Sequence, residues 1–390
     1  MHATRPMPGD TVLLYAADLQ LLFDALHRHG YHTIGPTVQG EMVIYTEIQR
    51  VSELPAGWSD EQKAGAYRLR QGDGDAYFGF TPAAHTWKNW LRPASERLWS
   101  AEQTAEGYTL AVAENEPPNY AFIGVRACEL RAIQIQDRVL LHGAYVDAEY
   151  QARRERTFVV AVNCTRAGGA CFCVSMDAGP QVANGYDLAL TELEEKGDHF
   201  FVVEVGTLAG AGVMADVPHR PATEDEREQA DCAVAAVAAQ MGRTLETDGL
   251  QELLYRSLEH PIWTEIGERC LTCGNCTMVC PTCFCATVED VTDLSGQTAE
   301  RWRRSDSCFT SNFSYIYGGS VRASARSRYR QWLTHKLATW YDQFGTSGCV
   351  GCGRCITWCP VGIELTQEVA RLQRLTRDET SATEQERSTA

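Results

Sequence analysis

The sequence lacks any long apolar run. No stretch approaches the roughly 18 to 20 consecutive apolar residues that a membrane helix needs, and the longest candidate, ADCAVAAVAAQM, is short and rich in alanine. The opening residues, MHATRPMPGD, also lack the apolar segment of a secretory signal. We therefore expect a cytoplasmic protein with no membrane insertion.

Positive charge is scarce as well. The 390 residues include 35 lysines and arginines against 51 acidic residues, a formal net charge of −16. This balance disfavours nucleic acid and anionic lipid as partners. The sequence also has no P-loop and no G-x-G-x-x-G after a predicted strand, so we do not expect it to bind NAD(P) itself.

Short apolar segments alternate with helical stretches in the N-terminal half. A helix is predicted over 17–30, and strands are predicted at 11–16, 42–48, 121–125, 157–163, 187–193 and 199–206. This alternation predicts an α/β or α+β domain at 1–215. We expect it to be followed by a helical linker at 216–258, a mainly helical ferredoxin-like domain at 259–374 and a polar tail at 375–390.

Cysteine is the abundant exception, with 16 residues. In a small secreted protein that number would indicate a disulfide framework, but this chain is large and shows no signal segment. Most of the cysteines fall in groups too tight for ordinary disulfide loops. Such grouping is typical of metal ligation.

Two cysteine runs share the spacing C-x2-C-x2-C-x3-C-P. Three thiolates on a tight loop can bind one face of a [4Fe-4S] cubane, and in two-cluster proteins the fourth cysteine of each run ligates the other cluster. This predicts site A, formed by Cys270, Cys273, Cys276 and Cys359, and site B, formed by Cys280, Cys349, Cys352 and Cys355. Zinc would leave the third and fourth cysteine of each run unexplained. Backbone amides should donate hydrogen bonds to the sulfurs, and Gly274, Gly351 and Gly353 should permit close backbone approach.

A third group of cysteines follows two predicted strands. Loops at strand ends in an α/β sheet tend to converge on ligand sites, and the loop VNCTRAGGACFCVSMDAGP is rich in glycine. We expect a third [4Fe-4S] site, site C, formed by Cys128, Cys164, Cys171 and Cys173. The alternative is a set of buried free cysteines.

The remaining cysteines are harder to interpret. Cys283, Cys285 and Cys308 are too few to close a site, so packing around the first cluster and ligation of a further centre both stay open. Cys232 lies in an alanine-rich helical stretch and is interpreted as a packed residue.

Five segments resemble one family, the β subunits of soluble NAD(P)-linked nickel-iron hydrogenases, or sulfhydrogenases, together with the related A subunit of anaerobic sulfite reductase. The segments are GVRACELRAIQIQDRVL, ARRERTFVVAVNCTRAGGACFCVSMDAGP, GYDLALTEL with FFVVEVG, CLTCGNCTMVCPTCFCATVED and CVGCGRCITWCPVGIEL. The resemblance covers most of residues 120–365. The TPAAHTWKNWLRP stretch also resembles a family segment, and we interpret His85, Trp87 and Lys88 as structural or interface residues.

The resemblance implies a relay subunit with no catalytic residue of its own. Its clusters would pass electrons between a subunit that binds FAD and NAD(P) and the small and large subunits of a nickel-iron hydrogenase. The CxxC pairs of a large nickel subunit are missing from this chain. Two alternatives stay open: a relay to the sirohaem subunit of a sulfite reductase, and a metal-binding adaptor without a redox role.

Overall fold

The computed structural model describes residues 5–72, 74–81, 83–112, 116–195 and 197–389. Its strands are β1 (Thr11–Tyr15), β2 (His32–Gln39), β3 (Met42–Glu47), β4 (Trp58–Lys63), β5 (Ala66–Gln71), β6 (Ser95–Thr104), β7 (Gly107–Val112), β8 (Tyr120–Arg126), β9 (Thr157–Val162), β10 (Leu188–Glu195), β11 (Asp198–Val205), β12 (Arg220–Pro221), β13 (Ala286–Thr292), β14 (Thr298–Ser305), β15 (Tyr315–Ile316) and β16 (Gly319–Ser320).

The α-helices are α1 (Leu19–Arg28), α2 (Lys88–Leu91), α3 (Ala127–Leu140), α4 (Ala148–Glu155), α5 (Leu208–Met214), α6 (Glu224–Ala238), α7 (Leu250–Arg256), α8 (Ile262–Arg269), α9 (Asn275–Met278), α10 (Ala325–Thr334), α11 (Trp340–Phe344), α12 (Arg354–Thr357) and α13 (Leu365–Thr389). A π-helical turn, His335–Thr339, joins α10 to α11. None of the described helices has the length and apolar character needed to cross a bilayer.

A mixed sheet forms the centre of the N-terminal half. In the described part of the chain it has eight strands in the order β12-β1-β11-β10-β9-β8-β2-β3. The four strands β10, β9, β8 and β2 run parallel. Strand β9 is buried from Phe158 to Val162, because α1 and α5 cover one face of the sheet and α3 covers the other.

A second sheet joins the two halves of the chain. Its order is β13-β14-β6-β7, and β14 pairs antiparallel with β6 so that Arg303 lies opposite Glu96. These two side chains form an ion pair, and Arg303 also pairs with Asp147. The hairpin between the cysteine runs therefore completes a sheet that residues 95–112 begin. The boundaries at 215, 258 and 374 stay a prediction about independent folding units.

The C-terminal part is largely helical. Helices α7, α8, α10 and α13 surround a core that includes Leu254, Trp263, Trp332 and Leu372. Helix α13 continues through the segment for which a polar tail was predicted, as far as Thr389. The predicted fold class, an α/β domain joined to a helical dicluster domain, is confirmed, with the β13–β14 hairpin as an addition.

Candidate iron-sulfur sites

The two cysteine runs fold into loops of matching conformation. The residues two and four places after the first cysteine have positive φ in both runs: 51° at Thr272, 77° at Gly274, 64° at Gly351 and 75° at Gly353. This conformation turns an amide toward the first cysteine of each run. Thr272 N donates to Cys270 Sγ over 3.4 Å, and Gly351 N donates to Cys349 Sγ over 3.5 Å. Amide donation to sulfur, expected from the sequence, is therefore present.

The fourth cysteine of the second run lies beside the first run. One cavity is lined by Cys270, Cys273, Cys276, Cys355 and Cys359. Burial is the main cause that raises the pKa of Cys276, and the nearby thiols add to it. The structure thus brings together all four thiols predicted for site A. Their role as ligands stays a prediction.

Cys280, the fourth cysteine of the first run, lies in turn beside the second run. Burial, followed by the thiols of Cys349, Cys352 and Cys280, raises the pKa of Cys355. Burial raises the pKa of Cys349 to about 12, against the opposing charge of Lys336. The four thiols predicted for site B are therefore neighbours as well.

A buried lysine lies against site B. Lys336 Nζ is 3.2 Å from Cys280 Sγ and 3.7 Å from Cys283 Sγ, and it donates to Gly348 O over 2.9 Å. Burial opposes the charge, but the Cys280 and Cys283 thiolates outweigh it and hold the pKa of Lys336 well above its ordinary value. The lysine sits in the π-helical turn, a distortion that often accompanies functional sites. Sequence reasoning missed it.

Site C forms where two parallel strands end. Cys128 lies in the first turn of α3, after β8, and Cys164 follows the neighbouring strand β9. Burial, followed by the thiols of Cys171 and Cys164, raises the pKa of Cys173. Burial, followed by the thiols of Cys173 and Cys352, raises the pKa of Cys128. The four predicted cysteines thus converge, and Cys352 of site B adjoins them.

Glycine permits the contact between sites B and C. Phe172 N donates to Gly351 O over 2.8 Å. A Cβ atom on Gly351 would lie 2.5 Å from the carbonyl carbon of Phe172, and one on Gly353 would lie 2.4 Å from Ala170 O. The close backbone approach predicted for these two glycines is confirmed.

A buried ion pair connects the second run to the sheet. The side chains of Arg354 and Glu129 are 0% and 1% exposed, and they form a salt bridge. Tyr45 Oη and Trp87 Nε1 donate to Glu129 over 2.9 and 3.1 Å. Sequence reasoning missed this pair. The only available signal was position, because Glu129 follows Cys128 and Arg354 lies between two cysteines of site B.

The residues interpreted as structural or interface residues, His85, Trp87 and Lys88, make contacts within the chain. Trp87 stacks on Tyr45 with ring centroids 4.1 Å apart. The carbonyl oxygen of His85 accepts a bond of 3.0 Å from Arg354 Nη2. Lys88 Nζ donates to Cys280 O and Cys283 O over 2.9 and 3.1 Å, so it supports the chain between the two carbonyls.

Buried donors around these thiols fit iron-sulfur clusters. Among the buried polar atoms that have no hydrogen-bond partner in the described residues, three belong to side chains near these thiols: Tyr329 Oη, Arg126 Nε and Arg354 Nη1. Tyr329 lines the site A cavity, and the charge of Arg126 opposes the burial that raises the pKa of Cys164. Cluster sulfides and thiolates are acceptors that would satisfy such donors. When bound, the clusters would supply one-electron transfer.

In the described part of the chain, the cysteine groups do not have the geometry of a site for a single metal ion. Within the described ranges, no three histidine, cysteine, aspartate or glutamate side chains converge as ligands of a single metal ion. In a cubane each thiolate binds a separate iron, so the four sulfurs are held farther apart.

Four cysteines remain outside sites A to C. Cys283, Cys285 and Cys308 line a second cavity, together with Lys336. Cys232 is exposed, so its interpretation as a packed residue was wrong. Helix α6 turns Ala230, Val234 and Val237 inward, and Cys232 lies on its outer side.

Fold and thiol geometry together define an iron-sulfur protein with a dicluster domain. Residues 269–363 match the family described as 4Fe-4S dicluster domain. Sulfhydrogenase 2 subunit beta of Pyrococcus furiosus is 33% identical over 250 residues, which span 63% of this chain and 71% of the relative. The chain belongs to the family of sulfhydrogenase β subunits, and it is an iron-sulfur electron-transfer protein. No solved structure matches it.

Proposed function

We propose that this chain relays electrons through [4Fe-4S] clusters at sites A, B and C. The relay runs between a subunit that binds FAD and NAD(P) and a nickel-iron hydrogenase module. The continuity of the thiols is the observation that supports this proposal. Cys355 of site B lines the cavity of site A, and Cys352 of site B adjoins Cys128 and Cys173 of site C.

The chain's own residues tune the relay in this proposal. Amides donate to Cys270 and Cys349, and Ile363 N donates to Cys359 Sγ over 3.3 Å. Lys336 places a positive charge beside Cys280. Hydrogen bonds to sulfur, nearby charge and burial are the means by which a protein sets cluster potentials.

The proposal includes a cytoplasmic location. None of the 16 cysteines forms a disulfide bond, including the exposed Cys232 and Cys273. A reducing compartment keeps thiols in this state.

The decisive experiment uses the chain purified anaerobically with its natural partner subunits. Hydrogen-dependent reduction of NAD(P)+ is expected in the complex. Cys352→Ser should lower that rate by at least about tenfold, since it interrupts the middle of the relay. Cys232→Ser is the matched control, because it changes an exposed cysteine outside all three sites, and it should leave the rate unchanged.

Other outcomes would support the alternative functions. Sirohaem absorption without nickel in the purified complex would replace the hydrogenase with a sulfite reductase. A chain that shows no EPR signal after reduction would be a metal-binding adaptor. About twelve irons per chain are expected for clusters at sites A to C.

A further inference from the structure

Three cysteines outside sites A to C come together at the base of a hairpin. Cys285 directly precedes β13, and Cys308 follows β14 closely. Ala286 pairs with Ser305, and Asp306 N donates to Cys285 O over 3.0 Å, which closes the open end of the hairpin. The side chains of Cys285 and Cys308 line the same cavity. Residues far apart in sequence are thus held in register by the sheet.

These thiols face a cavity rather than a packed core. Cys283, Cys285 and Cys308 line a cavity of about 430 Å³ that opens to solvent. A packing role would bury the three sulfurs against apolar side chains and leave no such space. The three thiols share a chamber large enough for an inorganic group.

The chamber is suited to a negatively charged group. Arg92, Arg322 and Lys336 contribute to its lining, and no acidic side chain does among the described residues. The nearby Asp306 carboxylate instead accepts from Ser307 N and Thr310 Oγ1. A cluster held by three thiolates is anionic, so the lysine and arginines would offset its charge.

Two buried donors at the chamber have no acceptor. Arg92 Nε and Trp332 Nε1 lack a hydrogen-bond partner in the part of the chain that the structure describes. The Arg92 guanidinium is anchored, because its Nη1 donates to Phe284 O. Trp332 is 4% exposed, and it lines both this chamber and the cavity of site A. Sulfide and thiolate sulfur are acceptors that would satisfy these donors.

We propose that Cys283, Cys285 and Cys308 ligate a fourth iron-sulfur cluster, which has three thiolate-bound irons and one iron facing the chamber. A disulfide between Cys285 and Cys308 would leave the Cys283 thiol in the chamber without a role. The new centre adjoins site B through Lys336, which contacts the thiols of both Cys280 and Cys283. The lysine's charge offsets the repulsion between thiolates of neighbouring centres. The proposal goes beyond the relay through sites A to C and does not depend on the identity of the partner subunits.

The first test counts iron in the full chain, purified and reconstituted anaerobically. The double variant Cys285→Ser/Cys308→Ser should contain about four irons fewer than the wild type. Cys232→Ser should match the wild type. Retained EPR signals from the other clusters would show that the double variant is folded. An unchanged iron count would overturn the proposal, as would one equivalent of zinc that disappears with the two thiols.

The second test needs no variant. Mild oxidation with ferricyanide takes one electron from a [4Fe-4S]2+ cluster with an open iron, which then releases one Fe2+ and becomes [3Fe-4S]+. The wild type and Cys232→Ser should therefore develop the EPR signal of a three-iron cluster, and the double variant should not. Absence of that signal in the wild type would count against the open iron. Both tests measure properties of this chain without its partners. A negative result in either test can therefore be distinguished from a failure of hydrogen-dependent NAD(P) reduction.

Discussion

The side chains of Arg354 and Glu129 are both buried. The pair joins α12, which carries Cys355, to the first turn of α3, which carries Cys128. The guanidinium also donates to Ala83 O over 2.7 Å and to the carbonyl oxygen of His85. One side chain therefore holds the second cysteine run against the sheet, and its removal would leave a buried carboxylate without its counter-ion.

Arg354→Met should lower the free energy of unfolding by about 3 to 5 kcal/mol, since a buried charge loses its partner. Arg301→Met is the control, because the pair Arg301–Asp290 is 42% and 56% exposed, and it should leave the free energy of unfolding nearly unchanged. Denaturation under anaerobic conditions measures both. Equal losses for the two variants would mean that the buried pair has no special role.

Lys336→Met should make the cluster at site B harder to reduce. The reduced cluster carries one more negative charge, and the variant removes the ammonium group that lies 3.2 Å from Cys280 Sγ. The reduction potential is expected to fall by roughly 50 to 100 mV. A redox titration followed by EPR measures the shift. Arg227→Met removes a positive charge on α6, outside every cysteine site, and should leave the potential unchanged.

His199 adds a pH-dependent contribution to stability. Its hydrogen bond to Glu192 raises the pKa of His199 above the ordinary value of 6.5. Folding therefore favours the protonated ring. The contribution is complete below about pH 6.5, and it is lost as the pH rises through the raised pKa. The free energy of unfolding should therefore decrease as the pH rises through this interval.

The measurement for His199 is chemical denaturation of the wild type and His199→Gln between about pH 6 and pH 8. The variant should lose this part of the pH dependence. The same Glu192 carboxylate accepts from Tyr77 N and Phe78 N over 2.6 and 2.9 Å. An identical pH dependence in the two proteins would contradict the assignment.

At the scale of elements, the two cysteine loops differ at one matching position. Gly351 has φ of 64° and no room for a Cβ atom against Phe172, whereas Thr272 adopts φ of 51° with a side chain already present. Gly351→Ala should cost at least about 2 kcal/mol, because it adds a clash to an unfavourable conformation. It should also lower the iron content of site C, since the Phe172 loop is displaced.

Thr272→Gly is the matched control for that prediction. The left-handed conformation suits glycine, and greater freedom of the unfolded chain offsets part of the gain. Stability should change by at most about 1 kcal/mol, with no loss of iron. Denaturation and iron analysis of the two variants test the pair together. A Gly351→Ala protein with full iron and unchanged stability would show that the loops do not need this close contact.

Regular elements could be predicted where the sequence pattern was strong. The segments TVLLYA and TFVVAVN correspond to β1 and β9, and a helix was correctly predicted around Leu19–Arg28. Strand β2 was missed because Gly35 and Pro36 lie within it. The β13–β14 hairpin was missed because its residues are largely polar and its partner β6 is distant in sequence.

The candidate sites, like the regular elements, could be predicted from the sequence only in part. Cysteine spacing predicted the groups at sites A and B, since that information is local. The roles of Lys336 and of the Arg354–Glu129 pair depend on contacts between distant segments, which no local pattern reports. The chamber beside Cys283 also required the fold, because three cysteines alone left packing and ligation equally open.

At the scale of the whole molecule, the C-terminal part depends on the N-terminal part. Strand β14 pairs with β6, and Gly65 N in the β4–β5 turn donates to Ile356 O over 3.1 Å. A fragment of residues 259–390 expressed alone should therefore bind less iron and unfold more readily than the full chain. Coexpression with residues 1–258 should restore both properties. Iron analysis and circular dichroism decide the matter, and a stable, fully loaded fragment would establish an independent domain.

The crossing of the two runs also constrains how the protein is made. In the proposed ligand sets, site A includes Cys359 as well as Cys270, and site B includes Cys280 as well as Cys349, so neither set is complete until the ribosome has translated the second cysteine run. The four thiols of site C are synthesised much earlier, but the loop at Gly351 that covers them arrives late. If the proposed ligand sets are correct, the nascent chain carries uncovered thiols until the second run is made, and the cluster at site B can be completed only after residue 355 and that at site A only after residue 359.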